Sequence, residues 1–302
     1  MAWTSNTQGS SQLNAVAYGN GYWVTVANDG NMYYATDPTG SWTLNAQGAS
    51  GWLSVAYGNG YWVMVGSAGI LRYKATDPTG AWTSNAQGST TFNSVAYGNG
   101  YWVAVGNTGT LYYKATDPTG AWTSNTQGTA NINGVNYGNG YWAAAANSDV
   151  VRYRATDPTG AWTSNALGGT NPRRNIAYGN GNWVTTADFG PNLKYRATDP
   201  TGAFTSNAQG SSLNLRGIAY GDGYWVTVAG AGDLRYHDDP AGTWNSYTQG
   251  SNALRSVAYG DDGYWVTVGD AGTVYYATDP TDPAQTPSSA TLQRVVTSNQ
   301  RW

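Results

Sequence analysis

Three arginines share one register of a repeating sequence: Arg174, Arg216 and Arg255 each stand four residues before a recurring Tyr-Gly. A guanidinium is a planar fork of donors that grips a carboxylate or sulfate through paired hydrogen bonds. Three of them on adjacent repeats suit an acidic ligand or the acidic tail of a partner. The competing expectation pairs them with Asp188, Asp233 and Asp270 in nearby turns. Elsewhere the same register holds Asn14, Asn93 and Asn133, with Leu53 in the second repeat. Arg173, in the variable segment Gly169 to Arg173, joins the candidate set. So does Trp52. Most Trp residues recur at matched places and read as packing, because each ring buries a large area. Trp52 has no Trp counterpart and lies in a variable segment, which makes it the stacking candidate for a sugar.

Catalytic groups are scarce. Cys is absent, every acidic residue is Asp, and the single histidine is His237. A thiol nucleophile, a thiolate metal site and a histidine-rich metal site are therefore excluded. A nucleophilic triad needs a base, and His237 replaces a strand residue that is Lys74, Lys114, Arg154 or Arg196 in other repeats. The Asp residues fall mostly in repeated turns, where the side chain caps its own turn. We expect no enzyme activity and no cofactor.

The elements that position these residues follow from internal repetition. The marker Tyr-Gly begins at Tyr18, Tyr57, Tyr97, Tyr137, Tyr178, Tyr220 and Tyr259, seven copies in 302 residues. An Asp-Pro turn follows each, from Asp37 to Asp279. In the third repeat the residues from Asn93 to Tyr97 alternate polar and apolar, and then meet Gly98-Asn99-Gly100. Asn-Gly between such runs signals a hairpin, since a type I′ turn needs positive φ at both central residues. Tyr101 to Val105, Leu111 to Ala115 and Trp122 to Asn125 read as three further strands. Asp117-Pro118-Thr119-Gly120 suits a type I turn. Each unit is thus a four-stranded antiparallel meander of about 40 residues, the length of a propeller blade. Both faces of the strands are apolar, so each unit must be sandwiched between neighbours. We predict an all-β, seven-bladed β-propeller.

Closure follows from counting aromatics. Seven Trp residues, from Trp23 to Trp265, mark second strands. Only six aromatics, from Trp42 to Trp244, mark fourth strands within the repeats, and Trp3 supplies the seventh. The N-terminal strand, about residues 2–8, should complete the last blade and leave no open edge. Residues 1–282 form the propeller on this reading, and 283–302 a C-terminal tail. Within the tail Val296-Thr297-Ser298-Asn299 echoes the fourth-strand motif.

The unit Asp-Pro-Thr-Gly-x-Trp-Thr resembles the Asp-box of neuraminidase-type repeats, although its Gly sits one place later. The fuller unit, Val-Ala-Tyr-Gly-Asn-Gly-Tyr-Trp-Val with Ala-Thr-Asp-Pro-Thr-Gly-Ala-Trp-Thr-Ser-Asn, resembles the propeller repeats of phage virion and tail-associated proteins. The plan is also similar to Photorhabdus-type seven-bladed lectins, whose binding residues match no positions here. The resemblance implies adhesion or virion architecture. A sialidase would need a carboxylate partner that is usually Glu, and this chain has none.

The expected function is a non-catalytic propeller on a virion surface or tail, touching a host glycan or another virion protein. The alternatives are a secreted bacterial lectin, and a scaffold docked through its tail. The expected location is the virion or the extracellular space. The repeat starts at Trp3 with no visible leader, which fits assembly inside a bacterial cell. With 14 Lys and Arg against 17 Asp, no basic stripe exists for a phosphate backbone, so nucleic acid is not an expected partner. No apolar run approaches membrane-spanning length, so membrane insertion is not expected. A third-strand series, Arg72, Lys74, Lys114, Arg152, Arg154, Lys194, Arg196 and Arg235, is expected to solvate the outer blade surface. The turns that carry Asp-Pro hardly vary, whereas the connections between blades do. Variation on one face and scaffold on the other is the layout of a binding surface.

Overall fold

The computed structural model describes residues 3–48, 51–188, 192–209 and 214–281. The tail 283–302 lies outside the described residues.

Local sequence dictates each blade. In the third repeat, strands Phe92–Gly98, Tyr101–Gly106, Leu111–Ala115 and Thr123–Ser124 pair antiparallel in chain order. Asn99 and Gly100 have φ of 45° and 79°, as a type I′ hairpin demands. In the Asp-Pro turn, Asp117 Oδ1 accepts the backbone N–H of Thr119 at 2.9 Å and also its hydroxyl. The carboxylate closes its own turn, and the same pattern recurs at Asp77, Asp157 and Asp199.

Seven such four-stranded sheets form the molecule. Blades one to six run in chain order over 13–46, 52–84, 92–124, 132–166, 173–208 and 215–248. Blade seven takes Leu254–Tyr259, Trp265–Gly269 and Val274–Ala277 from one end of the chain and Thr4–Ser5 from the other. Thr4 faces Tyr276 and Ser5 faces Tyr275 in that closing pair. The inner strands touch in sequence around the ring, and the inner strand of blade seven returns to that of blade one. The fold is an all-β seven-bladed propeller, as the repeat predicted, closed by the N-terminal strand.

Apolar side chains fill the gaps between blades. All seven second-strand Trp side chains, from Trp23 to Trp265, are fully buried. Glycine is required where blades approach most closely. A Cβ on Gly58 would lie 2.4 Å from Tyr97 of the next blade. A polar clamp repeats at the outer edge: Asn45 Nδ2 donates to the carbonyls of Pro78 and Gly80 at 3.1 and 2.7 Å. Asn85, Asn125, Asn165 and Asn207 make the same bonds to the blade that follows each. Asn6 makes them across the closing seam to Pro38 and Gly40. Blade six carries Tyr247 at this position. Its hydroxyl donates to the Pro280 carbonyl and accepts the Trp3 indole N–H. Every seam therefore has a clamp, and the odd one is built around the chain terminus.

Candidate ligand site at the channel mouth

The inner strands enclose an axial channel of about 820 Å3. One mouth is set by the Tyr of each marker, for example Tyr18 and Tyr57. The other is set by the register four residues earlier. That register is special in the backbone. In every blade the pairing of first and second strands slips there, between Leu13 and Ala15 in blade one and between Leu215 and Gly217 in blade six. The slips in the other five blades fall at the matching residues. A β-bulge leaves a residue unpaired and re-aims its side chain. Asn14, Leu53, Asn93, Asn133, Arg174, Arg216 and Arg255 are those residues, and all of them line the channel.

The bulge amides and the bulge arginines do different work. Asn14, Asn93 and Asn133 each donate from Nδ2 to a carbonyl of the next blade, that of Trp52, Ile132 and Arg173, at 2.7, 2.9 and 2.6 Å. They are structural ties. Arg174 pairs with Asp188, and Arg255 Nε pairs with Asp270 Oδ1 at 2.5 Å. The expected partner of Arg216, Asp233, is held instead by Arg235 Nε at 2.9 Å. Arg216 makes no ion pair among the described residues, and its buried Nε has no hydrogen-bond partner there. Burial lowers its pKa from the ordinary arginine value, as do the charges of Arg255 and Arg174, while Asp270 and Asp188 oppose the shift. Arg216 therefore sits within electrostatic reach of both flanking ion pairs.

Two other candidates are placed elsewhere. Trp52 is 1% exposed, packs in the gap between blades one and two, and donates its indole N–H to the Gly30 carbonyl at 3.2 Å. Its ring is core, with the Arg72 guanidinium 5.8 Å from its centre, and offers no face to a sugar. A register comparison explains the error: Leu13, Phe92, Ile132, Leu215 and Leu254 begin the other inner strands and are equally buried. Trp52 is a variant of a core position, not a loop residue. Arg173 occupies the same register and is also 1% exposed. Its Nε bonds Asp149 Oδ1 at 2.5 Å, and Lys194 Nζ bonds the other oxygen at 2.8 Å. Burial acts to raise the Asp149 carboxyl, but the bonds and charges of Lys194 and Arg173 outweigh it and hold the pKa below the usual carboxylate value.

That triad also corrects the expectation of a solvated third-strand strip. Lys194 and Arg235 are buried, and Arg72 Nη1 donates to Gln47 Oε1, in the connection that leads into its blade, at 3.0 Å. Arg154 and Arg196 bend onto their own Asp-Pro turns, donating from Nε to the carbonyls of Asp157 and Asp199. Among the described residues no three His, Asp or Glu side chains converge as metal ligands would. No helix among them is long and apolar enough to cross a membrane.

No known family model matches the chain, and no curated protein matches it in sequence. Solved structures match it in shape. The WD40 β-propeller domain of Doa1 superposes with a TM-score of 0.71 at 14% identity, over 90% of this chain and 94% of that one. YCF48 bound to D1 peptide gives 0.73 at 15% identity, over 91% and 96%. YCF48 from Cyanidioschyzon merolae gives 0.72 at 14% identity, over 91% and 98%. The likeness is one of fold.

Sequence reasoning found the three arginines and two of their partners, Asp188 and Asp270, but assigned Asp233 to Arg216 wrongly. The partner lies fourteen residues on, at the end of the second strand, as Asp188 does from Arg174. In blade seven one extra hairpin residue makes it fifteen. Counting in that register, rather than to the nearest acid, would have separated Asp233 from Arg216.

Proposed function

We propose that this chain is a non-catalytic binding propeller that captures an anionic group of a partner at the basic arc of its channel mouth. The observation that carries this is the convergence of Arg174, Arg216 and Arg255 on bulges of three adjacent blades, with only two carboxylates among them. Guanidinium groups in a concave, partly desolvated site favour carboxylate or sulfate over neutral ligands. Peptide capture by this fold has a precedent in YCF48 bound to D1 peptide. The setting we propose is a virion surface or other extracellular surface, with a protein or glycan as the partner. The phage-type repeat sequence is what supports that setting.

An array of anionic and neutral peptides and glycans tests the proposal, probed with the parent and with an Arg174→Gln/Arg255→Gln variant. Anionic hits that the variant loses are the expected result. Hits that are neutral, or that the variant retains, would place the site elsewhere.

A further inference from the structure

The register that positions the arginines also shows what is missing. At the end of each second strand, the residue facing the bulge is Asn28, Ser67, Asn107, Asn147, Asp188, Gly230 and Asp270 in blades one to seven. Side chain and partner change together. The Asn bulges of blades three and four bond the amide oxygens of Asn107 and Asn147 at 3.1 and 2.9 Å. The Arg bulges of blades five and seven meet acids. Blade six alone combines an arginine bulge with a glycine. Its acid is absent while the two flanking ion pairs are complete.

The vacancy is steric as well as electrostatic. A Cβ built on Gly230 meets nothing within 4 Å, and its φ lies outside the left-handed region. No strained backbone calls for a glycine there. The buried Nε of Arg216 has no hydrogen-bond partner among the described residues, and native structures normally satisfy such donors. The geometry points to a slot in which the ligand supplies the carboxylate that blade six lacks, with Arg216 as its anchor and Arg174 and Arg255 as flanking, already compensated charges. This deepens the proposal of an anion-binding mouth and rests on it.

The ligand we assign is an acidic peptide segment. A sugar site commonly uses an exposed aromatic face as a platform, and the described residues that line the mouth include none. Trp52 is core, and the channel-lining Tyr18, Tyr57, Tyr97 and Tyr259 stand at the far end, each packed 5.0 or 5.1 Å from its own blade's Trp. The wall between the mouths carries Ser54, Ser94, Asn175 and Ser256, which suit the polar edges of an extended chain.

The test uses the full chain and three labelled probes: hexa-aspartate, hexa-asparagine and a hexameric galacturonate. Two variants act on the slot from opposite sides. Arg216→Gln removes the anchor, and Gly230→Asp supplies the acid internally, as Asp188 and Asp270 do in their blades. Gly230→Asp should melt at or above the parent temperature, since it restores an ion pair and restricts the unfolded chain. We expect the parent to bind hexa-aspartate and not hexa-asparagine, and each variant to weaken that binding about ten-fold or more, the scale of truncating a buried charge pair. Binding that Arg174→Gln and Arg255→Gln weaken, but Arg216→Gln and Gly230→Asp do not, overturns the slot and leaves the anion-binding mouth standing. Preference for galacturonate overturns the peptide assignment. No binding to folded parent overturns both.

Discussion

At the residue scale, the chemistry of an arginine here depends on the acid across the hairpin. Arg174 and Arg255 have one, Arg216 lacks one, and Arg173 has one that it shares with Lys194. The shared case gives a clear prediction. Asp149→Asn preserves shape and tolerates the φ of 56° at this position, but it leaves two buried cations facing an amide. Breaking a buried ion pair from one side costs about 3–5 kcal/mol. Urea unfolding should show that loss, whereas a cost below about 1 kcal/mol would mean that water reaches the group. Arg173 and Arg174 are neighbours in sequence and point to opposite fates, one locked in the core and one 45% exposed at the mouth. Alternation along a strand explains this, and the bulge sets which of the two faces the channel.

At the element scale, the Asp-Pro turn is the unit that repeats most faithfully, and it carries an acid limit. The hydroxyls of Thr79, Thr119, Thr159 and Thr201, then their backbone N–H groups, hold the carboxyls of Asp77, Asp117, Asp157 and Asp199 below the usual carboxylate value. The folded carboxyl therefore binds a proton less readily than the unfolded one. Its stabilisation is complete above the unfolded pKa and is lost as pH falls through the folded one. Chemical unfolding midpoints should drop between about pH 5 and pH 3. Replacing the four threonines by valine removes the hydroxyl bonds and should flatten that drop, with little change near neutrality beyond a uniform offset. An unchanged slope would mean that other carboxylates, Asp149 among them, dominate acid unfolding. The turns were legible in the sequence because Asp, Pro, Thr and Gly each have a local reason to be there. The bulges were not, because a bulge is defined by the register of two paired strands and no residue type at the fourth place before Tyr announces one.

At the scale of the whole molecule, the ring is held by its seam. Trp3 is 4% exposed, packs with Trp265 and Leu254, and reaches Tyr247, which in turn reaches Pro280. One contact set thus ties the N-terminal strand, blade six and the last turn of blade seven. Trp3→Ala removes both the packing and the bond, and a buried Trp truncated to Ala costs about 3–5 kcal/mol. A single cooperative unfolding transition, shifted by that amount, is the expected result. A separate early transition would instead show that blade seven opens on its own before the ring unfolds.

The sequence by itself determined the number of blades, their four strands, the hairpin and Asp-Pro turns, and the use of Trp3 to close the ring. All of these follow from local periodicity and turn chemistry repeated seven times, so each repeat checks the others. It also marked the three arginines, because they break the repeat. Only the tertiary structure decided which polar groups meet. Trp52 and Arg173 look like loop residues until strand pairing shows them to be the first core position of an inner strand. Asp233 looks like the partner of Arg216 until the structure shows it held by Arg235, two residues on along the same strand and on the same face. The burial of Trp52 and Arg173 depends on register across strands and on the facing blade, and a linear spacing does not encode either. The vacancy at Gly230 belongs to the same class: a missing side chain has meaning only once the ring has placed a charge opposite it.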